Sequence, residues 1–304
     1  MAAKNKNASR YLIHLFPLPA LAVYVLFMII PVFTALGYSL FDWHGMVRGD
    51  FIGLKNFVTL FTDPQLSGLF KNAIGHNVIY FLVSLVVQNA AAFYLAYLIY
   101  RKYRGAEWFK VIFFVPRLLS LIVVGFLWNL ILNPNFGAFN ALLRTIGLEE
   151  WALPWLGQTS TALYAIILVN AWYMIGFGIL IYLAGLQAIP QDILEAAELD
   201  GCIGFEQIRK IILPLLMPSI TIMTILTFIY SFEAFDLIFA MEGSEGGPYY
   251  STDTLATLFY RLSFAKDGAS SAIGLGSALA VVMFVIIASV SAISLYLMTK
   301  RSNA

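Results

Sequence analysis

Charge is scarce in this chain. Of its 304 residues only 12% are Asp, Glu, Lys or Arg, about half of the roughly 25% usual in soluble domains. There is one cysteine, Cys202, and there are three histidines, His14, His44 and His76. A single thiol excludes an intrachain disulfide framework and any cysteine-based metal cluster. The histidines form no H-E-x-x-H pair, and no metal-ligand set is read from the sequence. No G-x-x-x-x-G-K-[ST] phosphate loop occurs, so the chain has no ATP-binding loop of that kind. A net charge of +1 argues against nucleic acid as a partner, because such binders carry a basic surface.

Apolar residues fill the chain instead. Hydrophobic residues make up 61%, with 25 Phe, 16 Tyr and 6 Trp, and the mean hydropathy is +0.83. A soluble fold of this length has no means of keeping so much apolar surface from water. The expectation is an all-α polytopic membrane protein. A span needs about 20 mostly apolar residues to cross about 30 Å of hydrocarbon. Six stretches qualify, at about 15–40, 73–100, 110–132, 161–186, 211–241 and 272–299. Tails at 1–14 and 300–304 and a distinctive loop at 187–210 lie between and around them. No signal-peptide cleavage pattern stands out before the first stretch, which is therefore read as retained. Gly176, Gly178 and Gly185, and Gly274, Gly276, Ser277 and Ala278, suit close helix packing, either within the bundle or against another subunit.

Loop charges set the sidedness. Lys4, Lys6, Arg10, Arg101, Lys102, Arg104, Lys110, Arg209, Lys210, Lys300 and Arg301 fall on one side of the membrane. The other side collects fewer bases (Arg48, Lys55, Lys71, Arg144, Arg261 and Lys266) and many acids, among them Asp253 and Glu242. The positive-inside rule then places both termini in the cytoplasm. That agrees with an even number of spans.

The 187–210 loop differs from the others. Pro190 suits a helix start and Gly201 a helix stop. Between them Ile193, Ala196, Ala197 and Asp200 share one face at i, i+3, i+4, i+7 spacing, and the two alanines permit a close approach. Five of the chain's 17 acids, Asp192, Glu195, Glu198, Asp200 and Glu206, crowd this loop. A membrane-surface helix favours Lys and Arg on its polar face. An acidic one is better suited to docking on another protein.

Glu195-Ala196-Ala197, then Gly201, then Ile211, Leu213 and Pro214 match the fixed positions of the EAA loop. The chain thereby resembles the membrane subunits of binding-protein-dependent ABC importers. Phe51 to Phe57 with Phe61-Thr62-Asp63-Pro64, Asn135 to Asn140, and Gly246-Gly247-Pro248 before Thr252 to Leu255 are similar to outer-loop motifs of the maltose-type carbohydrate group. The likeness covers roughly residues 10 to 300. Cys202 stands where the family usually has Ala, and Ile208 where it often has Phe. The resemblance implies a type I ABC importer permease fold with six transmembrane helices in a bacterial cell membrane (inner or plasma). It implies four kinds of partner: a second homologous permease subunit, two ATPase subunits that bind ATP and Mg, an extracytoplasmic sugar-binding protein, and membrane lipid. Glu195, Ala196, Ala197, Asp200 and Gly201 would couple this chain to the ATPase, and the chain itself would need no cofactor and perform no catalysis.

The same resemblance implies a sugar path. Position-by-position comparison places its contacts at Asn170, Tyr173, Met174 and Phe177 in span four, Thr227, Ser231 and Ala234 in span five, and Arg117 in span three. Hydroxyl and amide groups there would bond sugar hydroxyls, and aromatic rings would stack on sugar faces. An ordinary packing stripe has the same i, i+3, i+4, i+7 spacing. Ionisable groups at membrane depth cost about 2.5–3.5 kcal/mol each at a helix centre, so Arg117, Glu233 and Asp236 need reasons. Arg117 either snorkels, pairs with Glu233, or recognises an acidic or phosphorylated sugar. A neutral oligosaccharide is favoured as cargo. An ion-coupled secondary transporter would use Glu233 and Asp236 for coupling, and would leave the EAA loop without a purpose.

Overall fold

The computed structural model describes residues 16–103, 105–264 and 273–302. The expected tail at 1–14, residue 15 of the first expected span, Arg104, residues 265–272 and residues 303–304 lie outside the described residues.

In chain order the elements are α1 (Leu18–Tyr38), a hairpin of β1 (Phe41–His44) and β2 (Val47–Phe51), α2 (Lys55–Thr62), α3 (Pro64–Tyr100), α4 (Ala106–Phe114) with a 3-10 turn at Val115–Leu118, α5 (Leu121–Ile131), α6 (Ala138–Thr145), α7 (Ala162–Gln187), α8 (Gln191–Leu199), α9 (Phe205–Leu215), α10 (Met217–Phe232), α11 (Asp236–Glu242), α12 (Leu255–Phe264) and α13 (Ile273–Ser302). Among the described residues, α1, α3, α7 and α13 are each long and apolar enough to cross a membrane, and the bent pairs α4–α5 and α9–α10 bring the number to six.

The two bends have local causes. At the first, Pro116 sits in the 3-10 turn, and Leu119 and Ser120 are extended, with ψ of 149° and 139°. The helix therefore ends and restarts at an angle of 100°. At the second, Pro214 and Pro218 each remove a backbone donor within one stretch. A π turn over Ile208–Ile212 precedes them, and α9 and α10 meet at 72°. Helix is thus interrupted at 119–120 within the apolar stretch 110–132, and at 216 and after Phe232 within 211–241.

The chain divides into two compact units, Met1–Leu66 with Leu262–Phe284, and Ser67–Arg261 with Val285–Ala304. In the first, β1 and β2 pair antiparallel, with Phe41 opposite Phe51 and His44 opposite Val47. Arg48 lies 4.6 Å over the Phe41 ring. Buried Asn56 donates to the carbonyls of Ser39 (2.9 Å) and Phe41 (3.0 Å) and so anchors the start of the hairpin on α2. None of the apolar window of α1 is buried within the chain.

In the second unit α7 is the axis, with 67% of its apolar window buried. Three glycines on α7 admit three neighbours. A β-carbon on Gly176 would strike the backbone of Phe113 in α4, one on Gly178 would come within 2.7 Å of Ala92 in α3, and one on Gly185 would strike Ser219 in α10. These glycines serve the internal bundle. Two buried clusters follow from this packing. Tyr80, Val124, Ile166, Ile167, Leu237 and Ile238 form one, and Ala92, Ala96, Ile179, Tyr182, Leu186 and Ile212 the other.

The 243–254 loop is held by a buried ion pair. Arg261 Nη2 lies 2.6 Å from Asp253 Oδ2, and the Asp253 side chain is 0% exposed. The Thr257 hydroxyl donates to the other carboxylate oxygen at 2.6 Å. Arg261 also stacks 4.8 Å from the Tyr250 ring centroid. Asn72 donates to the Tyr250 carbonyl and His76 Nδ1 lies 2.8 Å from the Asp253 carbonyl oxygen. Asp253 and Arg261, two of the loop charges on that side of the membrane, are thus paired with one another inside the fold.

Two stability outcomes are expected. Gly176→Ala should destabilise the detergent-solubilised chain by about 1–3 kcal/mol through overpacking. Gly75→Ala, with nothing within 4 Å of the new carbon, should leave the unfolding temperature unchanged or raise it. Asp253→Ala should cost about 3–5 kcal/mol by stranding a buried guanidinium, and Asp253→Leu combined with Arg261→Met should recover most of the loss. Thermal unfolding of the purified variants reads both.

Candidate functional site

Two places gather the residues singled out from the sequence. The first is the loop from Pro190 to Lys210. Pro190 caps α8 from outside, with extended ψ of 132°. Gly201 ends the helix at φ +76°. The Cys202 N–H donates to the Ala197 carbonyl (2.8 Å) and the Gly201 N–H to that of Glu198 (3.1 Å), the hydrogen-bond pattern of a Schellman cap. A side chain at position 201 would carry left-handed backbone strain of order 1–3 kcal/mol.

The faces of α8 differ from the expected set. Leu194 and Ala197 are buried, at 7% exposure each. Leu194 packs in the cluster containing Ile99, Leu186, Ile189 and Ile212, and Gln207 donates to its carbonyl. Ala197, expected on the docking face, is therefore turned inward, on the same side of the helix as Leu194 three residues before it. Glu195, Ala196, Asp200 and Gly201 are exposed. Arg101, just past α3, lies 3.8 Å from Glu198, both side chains about half exposed, a contact worth no more than about 1 kcal/mol. Three large apolar residues that the sequence reading passed over stand out beside these polar groups: Leu199, Ile203 and Phe205 are 90%, 65% and 77% exposed. Their signal in the sequence was a run of bulky residues around Gly201 and Gly204 in an otherwise charged loop.

The second place is a cavity of about 340 Å³ where both broken spans meet α7. Arg117, in the 3-10 turn, projects over the rings of Tyr173 (5.0 Å) and Phe177 (6.0 Å). Tyr173 donates its hydroxyl to the Leu119 carbonyl at 3.2 Å, tying α7 to the break. Arg117, Asn170, Tyr173, Met174 and Ala234 all line the cavity, joined by Tyr80, Tyr230, Glu233 and Asp236. Phe177 faces the guanidinium without lining the cavity. Glu233 and Asp236, three apart in sequence, do not share one continuous helix. They lie instead on either side of the gap between α10 and α11, and both are exposed. Arg117 makes no ion pair with them among the described residues.

Thr227 and Ser231 do not join this group. Both are buried, at 3% and 1% exposure. Their hydroxyls donate to the carbonyls one turn earlier, at Met223 and Thr227, and the Ser231 carbonyl accepts from Asn77 of α3 at 2.7 Å. The i−4 back-bonding leaves no free hydroxyl hydrogen for a ligand. Their spacing serves the α3–α10 contact.

A polytopic α-helical protein with a capped, exposed helix between two spans, and two spans broken around one polar cavity, has the architecture of a transport permease. The chain belongs to the family described as "Binding-protein-dependent transport system inner membrane component", which it matches over residues 88–302. It is 32% identical to the probable starch degradation products transport system permease protein AmyD of Thermoanaerobacterium thermosulfurigenes, covering 94% of each chain. It is 30% identical to the trehalose/maltose transport system permease protein MalF of Thermococcus litoralis, over 95% of this chain and 94% of that one. A chain from the crystal structure of a bacterial alginate ABC transporter in complex with an alginate pentasaccharide-bound periplasmic protein has the same fold. Its TM-score is 0.79 at 22% identity, with 97% of this chain and 96% of that one covered.

Proposed function

We propose that this chain is one of two membrane subunits of an ATP-driven importer of oligosaccharides, and that it forms half of an alternating-access pathway. The observation that carries the reading is α8. It is capped at Gly201 and anchored through Leu194, yet Glu195, Ala196, Leu199 and Asp200, with Phe205 at the start of α9, stay exposed among the described residues. An exposed apolar cluster rimmed by charge is the mark of a protein docking site. Two separate ATPase subunits, holding ATP and Mg, would receive α8 and its counterpart on the homologous permease. An extracytoplasmic sugar-binding protein would deliver cargo, and both termini would face the cytoplasm. Tyr249 is the natural outer contact. It stands 92% exposed at φ +51°, next to the loop clamped by Asp253 and Arg261.

The cargo reading rests on the cavity and on the sugars named for the relatives. Arg117 laid over Tyr173 makes a flat amphipathic platform of the kind sugar rings stack on. Asn170 adds amide donors and an acceptor for hydroxyls. Two carboxylates, Glu233 and Asp236, line the same cavity as the one guanidinium, so its formal charge is negative and a neutral oligosaccharide fits better than an acidic or phosphorylated one. An ion-coupled secondary transporter has no use for the α8 surface.

Two outcomes are expected. An ATPase subunit should co-purify with the chain, and Glu195→Lys combined with Gly201→Asp should abolish its recovery; transport that persists without any ATPase sinks the proposal. Arg117→Ala should lower uptake of neutral oligosaccharides roughly tenfold, the scale of a lost hydrogen bond to a charged group. If only acidic sugars lose uptake in that assay, the cavity is an anion site.

A further inference from the structure

A second cavity of this unit lies apart from the one beside Arg117. It is a groove of about 710 Å³ between the α9–α10 bend and the last turns of α13. One wall is built from Pro214, Pro218 and Thr221, at i, i+4, i+7 along the bent pair, and the other from Ser294, Leu297 and Met298, at i, i+3, i+4 of α13. The second spacing puts its side chains on one helix face. The groove exists because Pro214 and Pro218 bend the first wall by 72° away from a straight course, and α13, which has no break in this stretch, does not follow it.

At one end of this apolar trough stands Arg209. It is exposed and has no acidic partner among the described residues: Glu206, one turn before it, is taken by Lys210. A cation without a counter-charge at the mouth of an apolar slot between membrane helices is the arrangement that holds a phospholipid headgroup. The volume lies within the range of about 300–1,000 Å³ typical of ligand sites. The occupant must be apolar along most of its length and anionic at one end.

We propose that this groove binds an anionic phospholipid from the leaflet next to the α8 loop, with an acyl chain along Pro214, Pro218 and Leu297 and the phosphate on Arg209. The arrangement ties the lipid to the segment that connects α8 to α10. The composition of that leaflet thereby acts directly on the bend.

The test uses the full chain in nanodiscs and a phosphatidylglycerol analogue with a photoreactive acyl chain, and reads the labelled peptides by mass spectrometry. Labelling should concentrate on the peptides containing Pro214 to Thr221 and Ser294 to Met298. Unlabelled phosphatidylglycerol should compete about fivefold better than phosphatidylcholine, the ratio expected from about 1 kcal/mol per basic residue near a charged lipid. Arg209→Gln should bring that ratio to about one and Arg209→Lys should keep it. Leu297→Trp should remove the label from both peptides by filling the groove. Equal competition by the two lipids overturns the proposal, and the competition arms need no variant. So does a cross-link from Leu297→Cys to a second permease subunit in the assembled transporter, which would make the occupant a protein helix. None of these readouts depends on sugar uptake, so the proposal stands or falls apart from the transport reading.

Discussion

Helices in a bilayer gain nothing by hiding apolar side chains from one another, because lipid is as apolar as they are; what holds them is how closely their backbones approach. In this chain that approach is concentrated on α7. Gly176, Gly178 and Gly185 bring α4, α3 and α10 to within a missing side chain of it. Gly176 has a second consequence. It lies between Tyr173 and Phe177 in sequence, so the place where α4 comes nearest α7 is also where Arg117 finds two aromatic rings. The polar cavity is therefore a product of the packing: moving α4 outward by the width of a methyl group would lift the guanidinium off both rings.

Broken helices carry an obligation that continuous ones do not. Backbone groups released from the helical ladder need partners, and inside a membrane irregular backbone is tolerated only where protein buries it or a cavity admits water. Both kinds of answer appear here. The Leu119 carbonyl takes the Tyr173 hydroxyl and the Ala234 carbonyl takes the Thr254 hydroxyl. Arg117, Glu233, Ala234 and Phe235 meanwhile line the same cavity. Two interruptions in different spans converge on one hollow, and discontinuous helices pointing at a common site are a recurrent way of placing polar groups at membrane depth.

The parts of this architecture that were legible in the sequence are those set by composition and short-range pattern. The long apolar run of α7 is visible within a residue at each end, because nothing in it competes with helix. The α8 loop is visible through Pro190, Gly201 and its crowd of acids. What stayed hidden depends on distant partners. Nothing in the sequence marks Ala197 as buried rather than exposed, since i, i+3, i+4, i+7 spacing names a face without saying what covers it. Thr227 and Ser231 look like ligand groups by residue type, yet their hydroxyls serve their own helix. Pro116 and Pro214 were both in plain sight, and hydropathy averaging smoothed over the breaks that follow them. The pairing of Asp253 with Arg261 was invisible because it requires a folded loop to remove both from water.

The seat of α8 has a mechanical consequence. Leu194 shares a buried cluster with Ile99, and Glu198 reaches Arg101, so the foot stands on the end of α3. That helix runs 37 residues without interruption, a shaft of roughly 55 Å. Along the same shaft, spaced by single turns, Asn77, Tyr80, Ser84 and Gln88 are buried, and Asn77 grips both the Ser231 carbonyl and the Leu255 N–H. A shaft with no joint cannot absorb a thrust at its foot. Whatever displaces α8 arrives at Asn77 as torque on α10 and on the loop that carries Asp253, far from the point where the push was made.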